Sequence, residues 1–297
     1  MKIKIITDSA ADLPVELYDE WDIEQIPHNV LLKDKVWKVG KDLSISEYYN
    51  EIAKLDYLPQ SSAPDIADYQ TAFDNALNKQ KYDHIIYISV SSALTSTFNS
   101  VRIIARKFKG KITLIDSVSA SGVQGLLVLT AAKLAKKGKE LEYIIEILEE
   151  MKKYSILTVG FLTLDNVYKS GRLKSKLLLD FTRFMKVKPV AIMSKQGKLI
   201  SKFPGLFFKR SMVKRLVHLT LSKIKNGWKY NMIITHLNNE QGVEYIENKL
   251  KQKVELSSIY KSVCSPIIGV NTGEGTIIVS LVPTIEQIEE VKKKKVH

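Results

Sequence analysis

An α/β fold built on a parallel sheet is what this sequence predicts, and three patterns predict it. Short runs rich in isoleucine, valine and tyrosine at 2–7, 84–90 and 111–116 read as strands. Amphipathic stretches of helical length lie between and after them. The junctions are rich in hydroxyl, amide and glycine residues, at 7–14 (TDSAADLP), 61–64 (SSAP), 89–97 (SVSSALTST) and 269–276 (GVNTGEGT). Strand–helix alternation argues for helices on the faces of a parallel sheet, and the ends of such strands are where binding sites gather.

Taken in order, helices are predicted over 46–54, 65–79, 95–108, 122–137 and 141–153. Asp65 and Thr95 suit helix starts, because a small oxygen-bearing side chain satisfies the free amides there. The texture changes near Lys153. Residues 156–164 read as a buried strand, followed by a polar helix over 166–173. Strands at 187–194 and 198–203 flank Lys195-Gln196-Gly197, which predicts a hairpin, with glycine free to adopt positive φ. A basic amphipathic helix over 209–225, a strand at 232–236, a helix over 240–251 and strands at 255–260 and 276–282 complete a second α/β unit. The expected division is 1–155 and 156–297, with no repeat and no low-complexity linker.

Composition narrows the function. The 297 residues are 45% hydrophobic and 26% charged, ordinary for a globular protein. The N-terminal residues lack a signal-peptide pattern, and no apolar run approaches the ~18 residues of a membrane span. One cysteine, Cys264, precludes an internal disulfide and fits a cytoplasmic setting. The net charge of +13 is almost all lysine, against arginines only at 102, 106, 172, 183, 210 and 215. Nucleic-acid readers favour the arginine fork, so no nucleic-acid partner is expected. The lysines at 292–295 read as a solvated, frayed terminus with at most transient membrane contact.

Catalytic signatures are sparse. There is no P-loop, no dinucleotide fingerprint after the first strand and no nucleophile elbow. The histidines form no H-x-x-x-H pair, so no metal or other cofactor is expected. Asp8, Asp12 and Asp116 stand near strand ends; capping and turn formation are the ordinary work of such residues, and ligating a metal or orienting hydroxyls the alternative. The 89–97 cluster holds more hydroxyls than one helix cap uses. Hydroxyls beside backbone amides at a helix start cradle an anion, and residue types leave carboxylate and phosphate equally open.

These segments, in order and spacing, resemble those of the DegV family. TDSAADLP is similar to the family's T-D-S-x-x-D-L, SSAP to its T-S-Q-P, and SSALTSTF (91–98) to its S-S-x-L-S-G-T-Y. IDSVSASG (115–122) with Gly125 resembles the I-D-[ST] strand end and its following helix. LDNVYKSGR (164–172) resembles L-x-x-L-x-x-G-G-R, and SPIIGVNTGEG (265–275) the loop P-x-I-G-x-H-x-G-P-G. The resemblance implies a two-domain DegV-like α/β fold that holds one long-chain fatty acid between its domains. It also implies a carrier, not an enzyme, that presents the carboxylate to a separate fatty acid kinase, whose acyl phosphate enters phospholipid synthesis. Ser61, Ser62, Ser92, Thr95, Asn271 and Thr272 are the implied carboxylate-binding residues, and Arg172 the kinase-docking residue with Lys169 and Lys174 supporting it. The alternative is a stand-alone phosphoryl- or acyl-transfer enzyme with Asp8 or Asp116 as base.

The chain departs from the family pattern in places. Asn271 stands where the family has histidine, and Glu274 replaces a proline. Asparagine donates a hydrogen bond but never becomes cationic, so either the head group is held by neutral donors alone, which is the expectation, or the chain binds its ligand without serving a kinase. Residues 203–210 (FPGLFFKR) lack the family's basic pattern, and Phe207 and Phe208 are open between lining an acyl channel and packing in the core.

Overall fold

The computed structural model describes residues 1–171, 175–184, 187–202 and 211–296. The predicted α/β class holds. Strands β1 (Ile3–Asp8), β2 (Ile23–Ile26), β6 (His84–Ser89) and β7 (Ile112–Asp116) form a parallel sheet in the order β2-β1-β6-β7, with Ile5 opposite both Ile23 and Ile86. Alternation decides what each face carries. Ile3, Ile5, Ile86 and Ile88 point to one side. Ile6, Ile85 and Tyr87 point to the other, under α3 (Ile66–Asp74) and α4 (Thr97–Ala105).

A second sheet has six strands: β10 (Leu199–Lys202), β9 (Val190–Met193), β8 (Ile156–Gly160), β13 (Ile277–Pro283), β11 (Lys229–His236) and β12 (Glu255–Val263), in that order. The predicted 195–197 hairpin is present, with Leu199 opposite Met193. Helices α9 (Met212–Leu221) and α10 (Glu240–Lys251) cover the outer face through Met212, Leu216, Val243 and Ile246. A small antiparallel sheet, β4 (Lys35–Lys38), β3 (Asn29–Leu32) and β5 (Gln60–Ser62), adjoins α2 (Ile45–Ile52).

Helix α5 (Ser121–Lys136) joins the two large sheets. Every residue from Ser121 to Ala132 is buried, as a helix apolar on all sides requires. Its residues share one cluster with Ile5 and Ile88 of the parallel sheet and with Leu157, Ile233 and Ile278 of the other. Two glycines permit the approach. A Cβ at Gly122 would lie 2.7 Å from Ile233 Cβ and 2.9 Å from Ser280 Cβ; at Gly125 it would lie 2.5 Å from the Ala11 carbonyl oxygen.

Two C-terminal segments depart from expectation. The 265–275 stretch, taken as a loop, contains helix α11 (Pro266–Thr272), with Ser265 at the N-cap and Pro266 in the first turn; proline has no amide to leave unsatisfied there. The lysines at 292–295 fall within helix α12 (Ile285–Val296) and are not a frayed tail. Lys292 pairs with Glu146 of α6 (Leu141–Tyr154) at 2.7 Å, and Ile288 is fully buried. Sequence reading also left α1 (Val15–Glu20), α8 (Lys176–Phe184) and strands β2 to β5 unassigned.

The two glycines carry a test. Alanine in a helix interior gains about 1 kcal/mol over glycine, whereas forcing a methyl into packed backbone costs about 1–3 kcal/mol. Gly122→Ala and Gly125→Ala should therefore each lower the midpoint of denaturant unfolding; an unchanged or raised midpoint would mean that the sheets yield to the added methyl.

Candidate functional site

The site is built where β1, β6 and β7 end. Asp8, the last residue of β1, is fully buried and accepts four hydrogen bonds: from Ala10 N (3.0 Å), Gln124 Nε2 (3.1 Å), Val90 N (3.0 Å) and Tyr87 OH (3.2 Å). Asp116, ending β7, accepts from Val118 N at 2.8 Å and from Ser92 N at 3.2 Å. Val118 is held at φ 52°, a conformation β-branched residues avoid. Both aspartates organise loops through these bonds.

Asp12 ties these loops to the other half of the chain. It adopts φ 47° after a short 3-10 turn (Ser9–Ala11). It accepts from Ser265 N (2.8 Å), at the start of α11, and from Ser121 Oγ (2.7 Å), at the start of α5. Ser121 Oγ also lies 3.2 Å from Thr235 Oγ1 of β11. Burial pushes the Asp12 carboxyl up to about 6; its bonds from Ser265 and Ser121 oppose that rise, and the nearby charge of Asp8 adds to it.

Beside these loops lies a cavity of about 610 Å³ between the two large sheets. Leu157, Val159, Ala191 and Ile278 form its floor, on the second sheet. Ala10, Val90, Leu94 and Ala120 face them from the parallel sheet's ends, and Ile267 and Ile268 of α11 from the side. Phe161, Leu164 and Val167 close the end toward α7 (Asp165–Lys169). Among the described residues the polar lining is Thr95, Ser121, Lys198, Ser201, Asn271 and Thr272. Such a space takes a long apolar body with one or two oriented polar atoms.

The structure brings three of the six expected head-group residues to this cavity. Thr95 lines it; the Thr95 hydroxyl oxygen accepts from Thr97 N at 2.9 Å, but the residue at the N-cap of α4 is Ser96 and not Thr95 as expected. Asn271 and Thr272 line it from α11. Asn271 Nδ2 donates to Ile267 O at 2.5 Å, which fixes the amide with Oδ1 turned away from that carbonyl, and Thr272 Oγ1 donates to Ile268 O at 3.0 Å. Ser61 and Ser62 are not among the lining residues but stand on β5, which packs beside α11. Ser92 is exposed and does not line the cavity. Arg172, Lys174, Phe207 and Phe208 lie outside the described residues. Among the described residues no group of His, Cys, Asp and Glu is placed to hold a metal, and no helix is long and apolar enough to cross a membrane.

Sequence reasoning missed the hairpin wall made by Met193, Lys198, Leu199 and Ser201. It identified the hairpin, but alternation alone does not say which strand face meets the other half of the chain.

A two-sheet α/β protein with a partly open, mainly apolar cavity at the strand ends is the class defined by this architecture. The model of the DegV family, described as "Uncharacterised protein, DegV family", matches residues 2–284, and the chain belongs to that family. It is 29% identical over 280 residues to Protein DegV of Bacillus subtilis, covering 93% of this chain and 98% of the relative. The crystal structure of DegV, a fatty acid binding protein from Bacillus subtilis, superposes with a TM-score of 0.78 at 26% identity, covering 96% of this chain and 100% of that one. Thermotoga maritima TM841, described as revealing a fatty acid binding function, shares the fold with a TM-score of 0.83 at 24% identity, over 96% of this chain and 100% of that one.

Asp12 makes stability depend on pH. Its folded value of about 6 lies above the ordinary 3.8, so its favourable contribution is complete below pH ~3.8 and is lost as pH rises through 6. Asp12→Asn keeps an acceptor for Ser265 N and removes the buried charge. In thermal melts the variant should exceed wild type at pH 8, and the margin should close by pH 4; a margin independent of pH would mean that the carboxyl does not titrate in this range.

Proposed function

We propose that this chain binds a long-chain fatty acid in the cavity between its sheets and presents the carboxylate to a separate fatty acid kinase. The observation that carries the reading is the cavity itself: about 610 Å³, walled by aliphatic side chains, with its few polar groups near the loop and helix termini. The fatty acid binding described for the Bacillus subtilis relative supports it. So does magnitude. Burying ~14 methylenes at about 0.8 kcal/mol each gives on the order of 11 kcal/mol before ordering costs, so the tail dominates affinity and the head contributes orientation.

In this reading residues 1–155 and 156–297 are two lobes closing on the acyl chain. The carboxylate takes the second Nδ2 hydrogen of Asn271 at the α11 end and, once it turns from Ile268 O, the hydroxyl of Thr272, with Ser61 and Ser62 of β5 beside them and Thr95 and Ser92 on the facing turn. An anion in a dry pocket needs several such donors. The chain acts as a cytoplasmic carrier without a cofactor of its own. Its partners are the acid and the kinase; membrane contact is transient, and the acyl phosphate formed by the kinase feeds phospholipid synthesis. Arg172, next to cavity-lining Gly171, docks the kinase, helped by exposed Lys169.

Native mass spectrometry of the recombinant protein should show adducts with fatty-acid masses. Protein that stays empty when offered palmitate or oleate would overturn the reading. Ala191→Phe, which fills the cavity floor, should lower palmitate affinity at least roughly tenfold with little loss of thermal stability. Arg172→Ala should spare acyl binding while slowing phosphorylation of the bound acid by the kinase; equal loss of both would make this arginine structural.

A further inference from the structure

Three carboxylates crowd the strand ends beside the cavity. Asp8, Asp12 and Asp116 are held by amides and hydroxyls, and among the described residues none of them forms an ion pair. Glu274 is exposed just past α11. Like charge disfavours a further carboxylate, and uncharged donors leave that repulsion in place. An acid head bound here calls for a cation, and the cavity wall holds one. Lys198 is the only charged residue among the described lining residues.

The fold sets Lys198 beside the turn that carries Ser92 and Thr95. Ser91 Oγ donates to Gly197 O at 3.1 Å, and Leu94 N donates to Ser91 O at 3.0 Å, so one residue joins the hairpin tip to that turn. The approach is close. Gly197 has φ 71°, and a Cβ there would collide with Ser91 Oγ and stand 3.2 Å from Val118 Cγ1. The backbone of Lys198 closes the hairpin, with N donating to Ser194 Oγ at 3.1 Å and O accepting from Ser194 N at 2.8 Å. Its side chain is exposed and, among the described residues, has neither hydrogen bond nor ion pair. The lysines around it are committed: Lys195 Nζ donates to Lys153 O, Lys152 Nζ to Asp116 O and Glu149, and Lys153 pairs with Glu150.

We propose that Lys198 is the cationic partner of the acid head, meeting from the hairpin side the carboxylate that Asn271 and Thr272 meet from α11. The inference rests on the fatty-acid reading and adds to it the residue that selects an acid over a neutral lipid. Lysine suits the place, because its flexible stem can lie along an apolar wall while the ammonium stays at the water side. The pinned tip limits where that ammonium can go. Since Lys198 is exposed, its pairing with the head is open to screening by salt.

The test compares palmitate with hexadecanol, which has the same tail length and no charge, by equilibrium binding of the radiolabelled lipids to the full-length protein. Wild type should prefer the acid, and the preference should shrink as salt is raised. Lys198→Met keeps an apolar stem and removes the charge. It should weaken palmitate binding about tenfold and hexadecanol binding far less, and flatten the salt dependence of the acid. Lys198→Arg should restore most of the preference. The turn is closed by backbone atoms of residue 198, so these variants keep the hairpin. Wild type without an acid preference, equal losses for acid and alcohol in Lys198→Met, or a preference that survives this change would each overturn the role of Lys198 while leaving acyl binding standing. If wild type binds neither lipid, the fatty-acid reading falls and this inference with it.

Discussion

The geometry depends on one helix being covered on every side. A helix with a polar face closes one sheet; α5 has none over its first three turns and must be enclosed. It therefore spaces two sheets by its own width, with Gly122 and Gly125 setting the closeness of the fit. The cavity lies at the Ser121 end of the helix, with Ala120 and Ser121 as part of its wall. The space for a ligand follows from ending a buried helix early.

Enclosing α5 gathers strand ends and helix starts in one place, and that concentrates unsatisfied backbone amides. Asp8, Asp12 and Asp116 answer them: Asp8 accepts from Ala10 N and Val90 N, Asp12 from Ser265 N, and Asp116 from Val118 N and Ser92 N. Buried carboxylates without a cationic partner are costly. The raised value at Asp12 expresses that cost. The return is geometric, since one carboxylate fixes the first residues of α5 and α11 together, and these carry opposite parts of the cavity wall.

Much of this was legible in the sequence, for stated reasons. Runs such as 84–89 and 156–160 are strongly apolar and bounded by polar turns, and both are strands. Helix α10 matches its predicted span because asparagine, acid and lysine mark its two ends. Short elements were not legible. β2 to β5 carry only three or four residues each, too few for alternation to show. The Ser265-Pro266 start of α11 was a readable signal, overridden by the glycines after it. At the cavity, hydroxyl-rich segments pointed to Thr95, Asn271 and Thr272, whereas the hairpin wall depends on how two sheets face each other, which no local pattern encodes.

The site also shows how affinity and orientation divide between parts of the chain. Leu157, Val159 and Ile278 belong to the sheet core and line the cavity as well, so the surface that would hold a tail is the surface that holds the fold together. The polar lining sits instead on turns and on α11, segments positioned by side-chain hydrogen bonds. At this end Asn271 Nδ2 already serves Ile267 O, and Glu274 is exposed just beyond. Neither residue is part of the apolar floor. In the proposed reading a substitution at either alters how an acid head is held, while the burial that sets most of the binding energy stays as it was. Under that reading head-group chemistry can change without rebuilding the apolar floor, because the two rest on different interactions.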